Sequence, residues 1–573
     1  MLNFYDFEVT AYDWLVVIIN PYEKKVTRIA NDKRALLKYF DQHKHEIWVG
    51  YNNRRYDQYI MKAILCGFNP KGISDFIIVE DGKGFEYSSL LRQFSFVNYD
   101  TMLRTDTGLK SLEGFMGNDI RETSVPFNIN RKLTPQELEE MFKYCQHDVE
   151  QTMEVFTHRI EEFNAKMGLI NIFNCSLSDM GKTNAQLVAK ICGGKGLKFD
   201  DEWEFEFAPT LRLTKYYHIR KWYRNPENFD YKKKQKVMVA GVPHVFAFGG
   251  IHGAIKRYYG EGIYIMADVT AYYPSMQKRY KWGYRNMAHP ENFEKIHDEN
   301  LRFKALGDKK ARLPYKIADN SISGQLKDKY SSLYDPRENN AICINGQLLL
   351  LDLIEKLEGK CELIQSNTDG ILIKCPKHRE RDWHKWHDEI DDIVYEWEHR
   401  TGMQMEFSFY KRVFQKDVNN YLLVGFDGKT KTKGTYTKAL SPLDFDLPIV
   451  NKAMVEYMVN GTPVEKTVRE QDDLIMFQKI VKLKGTYDYV EHNDQTYEFK
   501  CYRVFASRVA CDTQISKCIR RTEDDKKDKF GNTPDRCFID NDDIKGKKVP
   551  HRLDREWYID LAKRRLRQYG VQC

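Results

Sequence analysis

The sequence predicts a multidomain α/β protein, and three observations carry that prediction. A chain of 573 residues exceeds what one hydrophobic core organises, so three or four domains are expected. Residues 1–155 alternate short apolar strands with amphipathic helical patterns. Residues 263–374 again mix both element types, in a strand, a strand–turn–helix step and a hairpin.

Taken in order, 15–20 and 46–50 read as strands and 56–65 as a helix. Thr134-Pro135-Gln136-Glu137 is a capping box with Pro at the first helical position, opening a long helix through about residue 163. Residues 164–245 read as a polar connecting region with one clear helix, 184–191, and no assignable function. Residues 263–267 form the strand that begins a central domain running to about 410. Beyond it come a strand at 421–425, a turn at 431–434, a helix at 447–459, a charged loop at 521–549 and a last helix at 555–569. No internal repeat or low-complexity tract is present.

No continuous apolar run is long enough for a membrane span. The first strand begins at Leu2, leaving no room for a signal or transit peptide, so a soluble intracellular protein is expected. Twelve cysteines without a C-x-x-C pair argue against a zinc ribbon and fit reduced thiols. The net charge is +7, and residues 501–573 hold 18 Lys/Arg against 12 Asp/Glu. A basic C-terminal end suits a phosphate backbone.

Two sets of carboxylates stand out. Asp6 and Glu8 share one face of a strand, because strand side chains alternate. Asp57 opens a helix, and Tyr144 and Asp148 lie four apart on the capped helix. Four acids converging from separate elements repel unless metal ions neutralise them. With two metals they activate water against a phosphodiester, and Tyr144 is placed to orient that water. Lys132 is a further candidate at the scissile phosphate.

In the centre, Asp268 follows the strand at 263–267, held rigidly enough to ligate a metal, with the Val269 carbonyl beside it. Tyr273 is placed to lie beneath the sugar of an incoming nucleotide. Pro314 suits the first turn of a helix that carries Lys316, Asn320, Ser323/Gly324 and Lys327 on one face. Lys316 is a candidate triphosphate ligand and acid on the leaving pyrophosphate, with Arg312 and Lys304 as further phosphate candidates. Asn367-Thr368-Asp369-Gly370 reads as a hairpin tip that sets Asp369 opposite Asp268.

Each piece alone is common: a surface acid, a capping Asp, a basic solvated helix, an Asp-Gly turn. Their order is not. DxE, NxxYD and YxxxD resemble the three-motif DEDD 3′–5′ exonucleases in their tyrosine form. DVTAYYPS, KIADNSISG and NTDG resemble motifs A, B and C of family-B DNA polymerases. The resemblance spans most of residues 1–425.

It implies an RNase H-like exonuclease at 1–163, a connecting region at 164–245, and a right-hand polymerase. The polymerase has palm segments at 246–276 and 331–410, fingers at 277–330, and a thumb with the C-terminal region at 411–573. It makes Asp6, Glu8, Asp57 and Asp148 metal ligands with Tyr144 the water-positioning residue, and Asn53 a contact to the single-stranded 3′ end. It makes Asp268 and Asp369 the polymerase metal ligands, Tyr273 the sugar gate, and Lys316 and Asn320 fingers residues. Gly249 and Gly250 resemble the link that touches template DNA. Tyr421 falls in a primer-contact motif whose Lys is absent, with Lys416 or Lys433 as substitutes. Two Mg²⁺ or Mn²⁺ ions per site are implied, with primer–template DNA and dNTPs as substrates, replisome accessory proteins as possible partners, and a monomer in the host cytoplasm of a phage or similar replicon.

Several positions depart from the family pattern, among them Val9, which stands where relatives often carry a hydroxyl residue that contacts DNA. Asn367 stands for the first acid of motif C, Ser323 for a tyrosine that packs on the nascent base pair, and Ala271 for a serine near the triphosphate. Motifs A, B and C are separated by only about 40 residues each, which leaves no room for the insertions of protein-primed phage polymerases. An ordinary nucleic-acid primer is therefore expected. The competing readings are a nuclease whose palm has lost synthesis and a non-enzymatic nucleic-acid-binding or priming scaffold.

Overall fold

A computed structural model describes residues 1–103, 107–521 and 524–572. The chain divides into two compact units, each mixing helices with β-sheet. Among the described residues no helix is long and apolar enough to cross a membrane.

The first unit gathers Met1–Lys182, Ala439–Ile449 and Val468–Tyr558. Its main sheet has five strands: β1 (Leu2–Val9), β2 (Trp14–Asn20), β3 (Lys25–Ala30), β4 (Ile47–Gly50) and β5 (Asn98–Asp100), in the order β3-β2-β1-β4-β5. β1 pairs antiparallel with β2 and parallel with β4. β2 is a nearly continuous apolar run because it is buried along almost its whole length. The helix Pro135–His158 packs on β1 and β2, and its expected capping box is formed. It ends sooner than the sequence implies. Arg159 leaves helical geometry, is buried, and donates to the Thr101 carbonyl, and a second helix, Ile160–Ile172, follows.

The later segment of this unit adds two small antiparallel sheets. One consists of Lys479–Lys482, Cys501–Ala506 and Cys537–Ile539, with Cys501–Ala506 in the middle. The other runs Gln495–Tyr497, Tyr489–His492, Ser516–Ile519, Lys526–Lys529. The expected loop at 521–549 is interrupted by two short strands, Lys526–Lys529 and Cys537–Ile539, and stays irregular over most of the rest; residues 522–523 lie outside the described part. Lys526–Lys529 is an exposed edge strand of charged residues only, so no buried face marks it in the sequence. Arg503 is fully buried and bonds the carbonyls of Asp540, Asp542, Gly114 and Asn118, fastening this segment to the helix Leu109–Met116.

The second unit holds Thr183–Lys438, Val450–Thr467 and Ile559–Cys573. Nine strands form one antiparallel sheet: β6 (Gln235–Val239), β7 (Val242–Phe246), β8 (His252–Ala254), β9 (Tyr258–Val269), β10 (Glu362–Asn367), β11 (Gly370–Lys374), β12 (Met405–Asp417), β13 (Asn420–Gly425) and β14 (Thr430–Lys433). Their order is β14-β13-β12-β9-β11-β10-β8-β7-β6. One face is covered by the helices Tyr272–Tyr280, Pro336–Leu357 and Trp383–Thr401, whose apolar side chains meet Ile265, Ala267, Ile371 and Ile373.

Several expectations are corrected here. The region 164–245 also carries the helix Tyr217–Arg224 and the hairpin β6–β7. Asp268 lies inside β9 rather than after it. Residues 430–433 are strand, with the turn following at Gly434. Pro314 sits inside its helix, Lys309–Ser323, because the Asp308 carboxylate caps the Ala311 N–H and starts the helix earlier. That helix packs against Pro290–Ala305 as a helical hairpin.

Candidate functional site

In the first unit, Asp6 and Glu8 project from the same face of β1, half-buried. Asp57 is the first residue of the helix Asp57–Cys66, and its carboxylate accepts from the Phe7 N–H at 3.1 Å, tying that helix to β1. Donor atoms of Asp6, Glu8 and Cys145 lie within 4.8 Å of one another, as do those of Glu113, His147 and Asp148.

The electrostatics follow from crowding acids in a buried place. Burial, then the charges of Asp57, Glu8 and Asp148, push the Asp6 carboxyl well above the usual range. Burial, then Asp148 and Asp57, do the same to Glu8. Burial raises Asp57 to about 7 against the stabilising Phe7 hydrogen bond, and raises Asp148 to about 6 against the charge of Lys110. The Tyr144 hydroxyl is pushed up by burial and by Asp148 and Glu8, which keeps it protonated and able to donate.

Lys110 is the residue that sequence reading missed. Its ammonium pairs with Asp148, lies 3.2 Å from Glu113 and sits 4.5 Å from the centre of the Tyr144 ring. Burial opposes its charge, yet Asp148 and Glu113 hold its pKa above the ordinary value. The other candidate cation, Lys132, is exposed on the loop before the capped helix.

Asn53 is also placed differently from the expectation. It is fully buried and donates to Asn98 Oδ1 at 2.9 Å and the Tyr99 carbonyl at 3.1 Å, so it braces its own loop. Asp100 supports that loop by accepting from the N–H groups of Asn52 and Arg54.

In the second unit, Asp268 and Asp369 stand side by side. β9 pairs with β11 so that Gly370 faces Asp268, and the Val269 N–H donates to the Asp369 carbonyl at 2.7 Å. A Cβ on Gly370 would lie 2.5 Å from Asp268 Oδ1 and 2.7 Å from the Ala267 carbonyl, so only glycine lets the hairpin tip approach this closely. Asp369 is open to solvent, yet the packed protein behind it and then the Asp268 charge raise its carboxyl, opposed by Lys433 and Lys431. Lys431, expected only as a turn residue, ion-pairs with Asp268.

The remaining predicted residues fall into two groups. Tyr273 packs on the Gly346 backbone, where a Cβ would lie 3.0 Å from its ring. Lys304 pairs with Glu406, which faces Asp268 across β9 and β12, and also reaches Thr270. Arg312 donates to Asn300. Gly250 approaches Thr368 at the hairpin tip, and the Gly249 carbonyl accepts from Gln347. By contrast, Lys316 and Asn320 stand exposed on the helix Lys309–Ser323 and are not drawn to the carboxylates by any bond among the described residues. Tyr421 is 3 % exposed and packs among Tyr264, Met266 and Leu423, because both faces of β13 are covered; it is a core residue in this structure.

No family model matches the chain, and no curated protein matches it. Among solved structures, it is similar to the family B DNA polymerase from the hyperthermophilic archaeon Pyrobaculum calidifontis. The match has 13% identity and a TM-score of 0.41, covering 100% of this chain and 78% of that one. A likeness of that extent carries no functional argument.

Proposed function

We propose that the chain is a DNA-templated DNA polymerase with a separate 3′–5′ exonuclease site. The observation that carries the reading is the register of β9 and β11, which sets Asp268 beside Asp369 at the ends of those central strands. The second carboxylate set supports the proofreading half, and the β3-β2-β1-β4-β5 order of the sheet beneath it suits an RNase H-like exonuclease.

Both donor sets fit hard divalent cations. They are dominated by carboxylate oxygens, which suit Mg²⁺ or Mn²⁺. In both, a lysine ammonium rests against a carboxylate that needs positive charge. Asp268 and Asp369, with the Val269 carbonyl, would hold metal at the polymerase site, and Asp6, Glu8, Asp57 and Asp148 at the exonuclease site. Bound there, such ions supply Lewis-acid stabilisation of the charge that develops in phosphoryl transfer.

The chain's own groups do the rest. Tyr273, stacked over Gly346, bounds the space for the sugar and excludes a 2′-hydroxyl. Lys316, Lys304 and Arg312 offer cationic groups to a triphosphate. At the other site the Tyr144 hydroxyl, kept protonated, orients the attacking water, while Lys110 balances Asp148. Primer–template DNA and dNTPs are the substrates, and a phage or similar compact replicon is the setting that the motifs favour.

A second reading, a nuclease with a synthesis-inactive palm, draws on Asn367, which replaces an acid beside Asp369. Extension of a 5′-labelled primer with Mg²⁺ separates the two. The polymerase reading expects the wild type to extend, Asp369→Ala only to shorten the primer, and Asp6→Ala/Glu8→Ala to extend without shortening. A wild type that only shortens the primer, even with all four dNTPs and Mn²⁺, gives the case to the nuclease.

A further inference from the structure

The nine-stranded sheet carries a continuous row of side chains that reaches far beyond the two aspartates. Lys236 on β6 faces Val245 on β7, and Val245 faces His252 on β8. One step beyond the Ser366–Gly253 pair, His252 comes beside Asn367 on β10, and Asn367 faces Gly370, which faces Asp268. Cross-strand neighbours project from the same side of a sheet. The adjacent row, through His244, Gly253, Ser366 and Ile371, belongs to the buried side. Lys236, His252 and Asp268 therefore share the side away from the covering helices.

The far end of this row is strongly basic. Between Leu211 and Lys236 the sequence holds nine Lys/Arg against two Asp/Glu. Lys232, Lys234 and Lys236 are exposed. Counted along the sheet, five strand steps at about 4.8 Å separate β6 from β9 by about 24 Å. That length matches about seven base pairs at 3.4 Å each.

We propose that Lys234 and Lys236 grip the phosphate backbone of the primer–template duplex about seven base pairs behind the primer end. The proposal rests on the polymerase reading. If the primer end lies at Asp268 and Asp369, the nucleic acid running back from it across the sheet is paired. The plain alternative is that edge-strand lysines only keep β6 from pairing with another chain.

The test measures binding of primer–template by fluorescence anisotropy from about 50 to 300 mM NaCl, for wild type, Lys234→Ser/Lys236→Ser and Lys234→Arg/Lys236→Arg. Loss of two duplex phosphate contacts lowers the slope of log K against log salt by about 1.8 in the serine variant, and arginine restores it. Methylphosphonates placed about seven base pairs behind the primer end should weaken wild-type binding and leave the serine variant unaffected; placed about three base pairs behind, they should weaken both equally. Matching circular-dichroism melts show that the variants are folded.

An unchanged slope, or a distal methylphosphonate effect that persists in the serine variant, overturns the proposal. So does a deficit that follows the single-stranded template overhang instead. If the wild type extends primers and the slope is unchanged, this proposal falls alone; if it binds no primer–template, the polymerase reading falls with it.

Discussion

The two carboxylate sets solve the same electrostatic problem in opposite surroundings. Asp57 and Asp148 are buried and Asp6 and Glu8 half-buried beside them, so burial and mutual repulsion resist their ionisation. Lys110, itself enclosed, is their fixed counter-charge. Asp268 and Asp369 sit at the open end of a hairpin, where water screens them and Lys431 is a loose partner, about a third exposed. A buried set depends on its built-in cation for stability, whereas an open set depends on backbone register for geometry.

The largest expected effect tests the first half of that statement. Lys110→Met leaves Glu113 and Asp148 without their ammonium, and breaking a buried pair from one side costs about 3–5 kcal/mol. Lys431→Met removes an exposed pair and should change stability by less than about 1 kcal/mol. Urea melts of the two variants read the difference directly. Mn²⁺ should also raise the melting temperature of Lys110→Met more than that of the wild type. Equal losses in the two variants would abolish the distinction between a locked and an open site.

How much of this was legible in the sequence depended on the range of each contact. Asp6 and Glu8 are neighbours by strand alternation, and Tyr144 and Asp148 by helical spacing, so their shared faces could be read directly. The hairpin that presents Asp369 announced itself through Asp-Gly between apolar runs. Lys110 could not be found this way, because its partner lies on another helix 38 residues on and nothing local marks the pair. The enclosure of Tyr421 and Asn53 was hidden for a related reason. A polar-tipped residue beside a motif looks available until the packing around it is known, and both are enclosed. Strands at sheet edges, Lys526–Lys529 above all, carry no buried face and so no pattern.

The second half of the comparison is tested at Gly370. In Gly370→Ala the new methyl group meets Asp268 Oδ1 and the Ala267 carbonyl, so the hairpin must move away from β9. Overpacking of this kind costs about 1–3 kcal/mol. Displacing a reacting group by about an ångström costs about a hundredfold in rate. Primer extension should therefore fall far more than stability does, while primer shortening at the other site stays at the wild-type rate. Parallel loss of both activities would show that the substitution unfolds the protein rather than separating two carboxylates.

The smallest effect comes from behind the open site. His244 is buried on β7 and reaches across Gly253 to β10, with Nδ1 at 2.8 Å from the Val242 carbonyl and Nε2 at 2.6 Å from Ser366 Oγ. A Cβ on Gly253 would lie 2.3 Å from the imidazole, so the ring occupies the space that this glycine leaves. The carbonyl requires a proton on Nδ1, and Nε2 then accepts from the serine. Burial lowers the imidazole pKa to about 4, so the folded chain holds it neutral where the unfolded chain protonates it. Its contribution is complete above the unfolded pKa near 6.5 and is lost as pH falls toward 4. The loss amounts to about 1.4 kcal/mol at pH 5.5. In His244→Gln that acid-side slope should flatten in urea melts at pH 7.5 and 5.5, while the Lys110-dependent stability of the first unit is unchanged. A slope that survives the substitution would move the acid sensitivity to another group and remove His244 as a brace of the Asp369 hairpin.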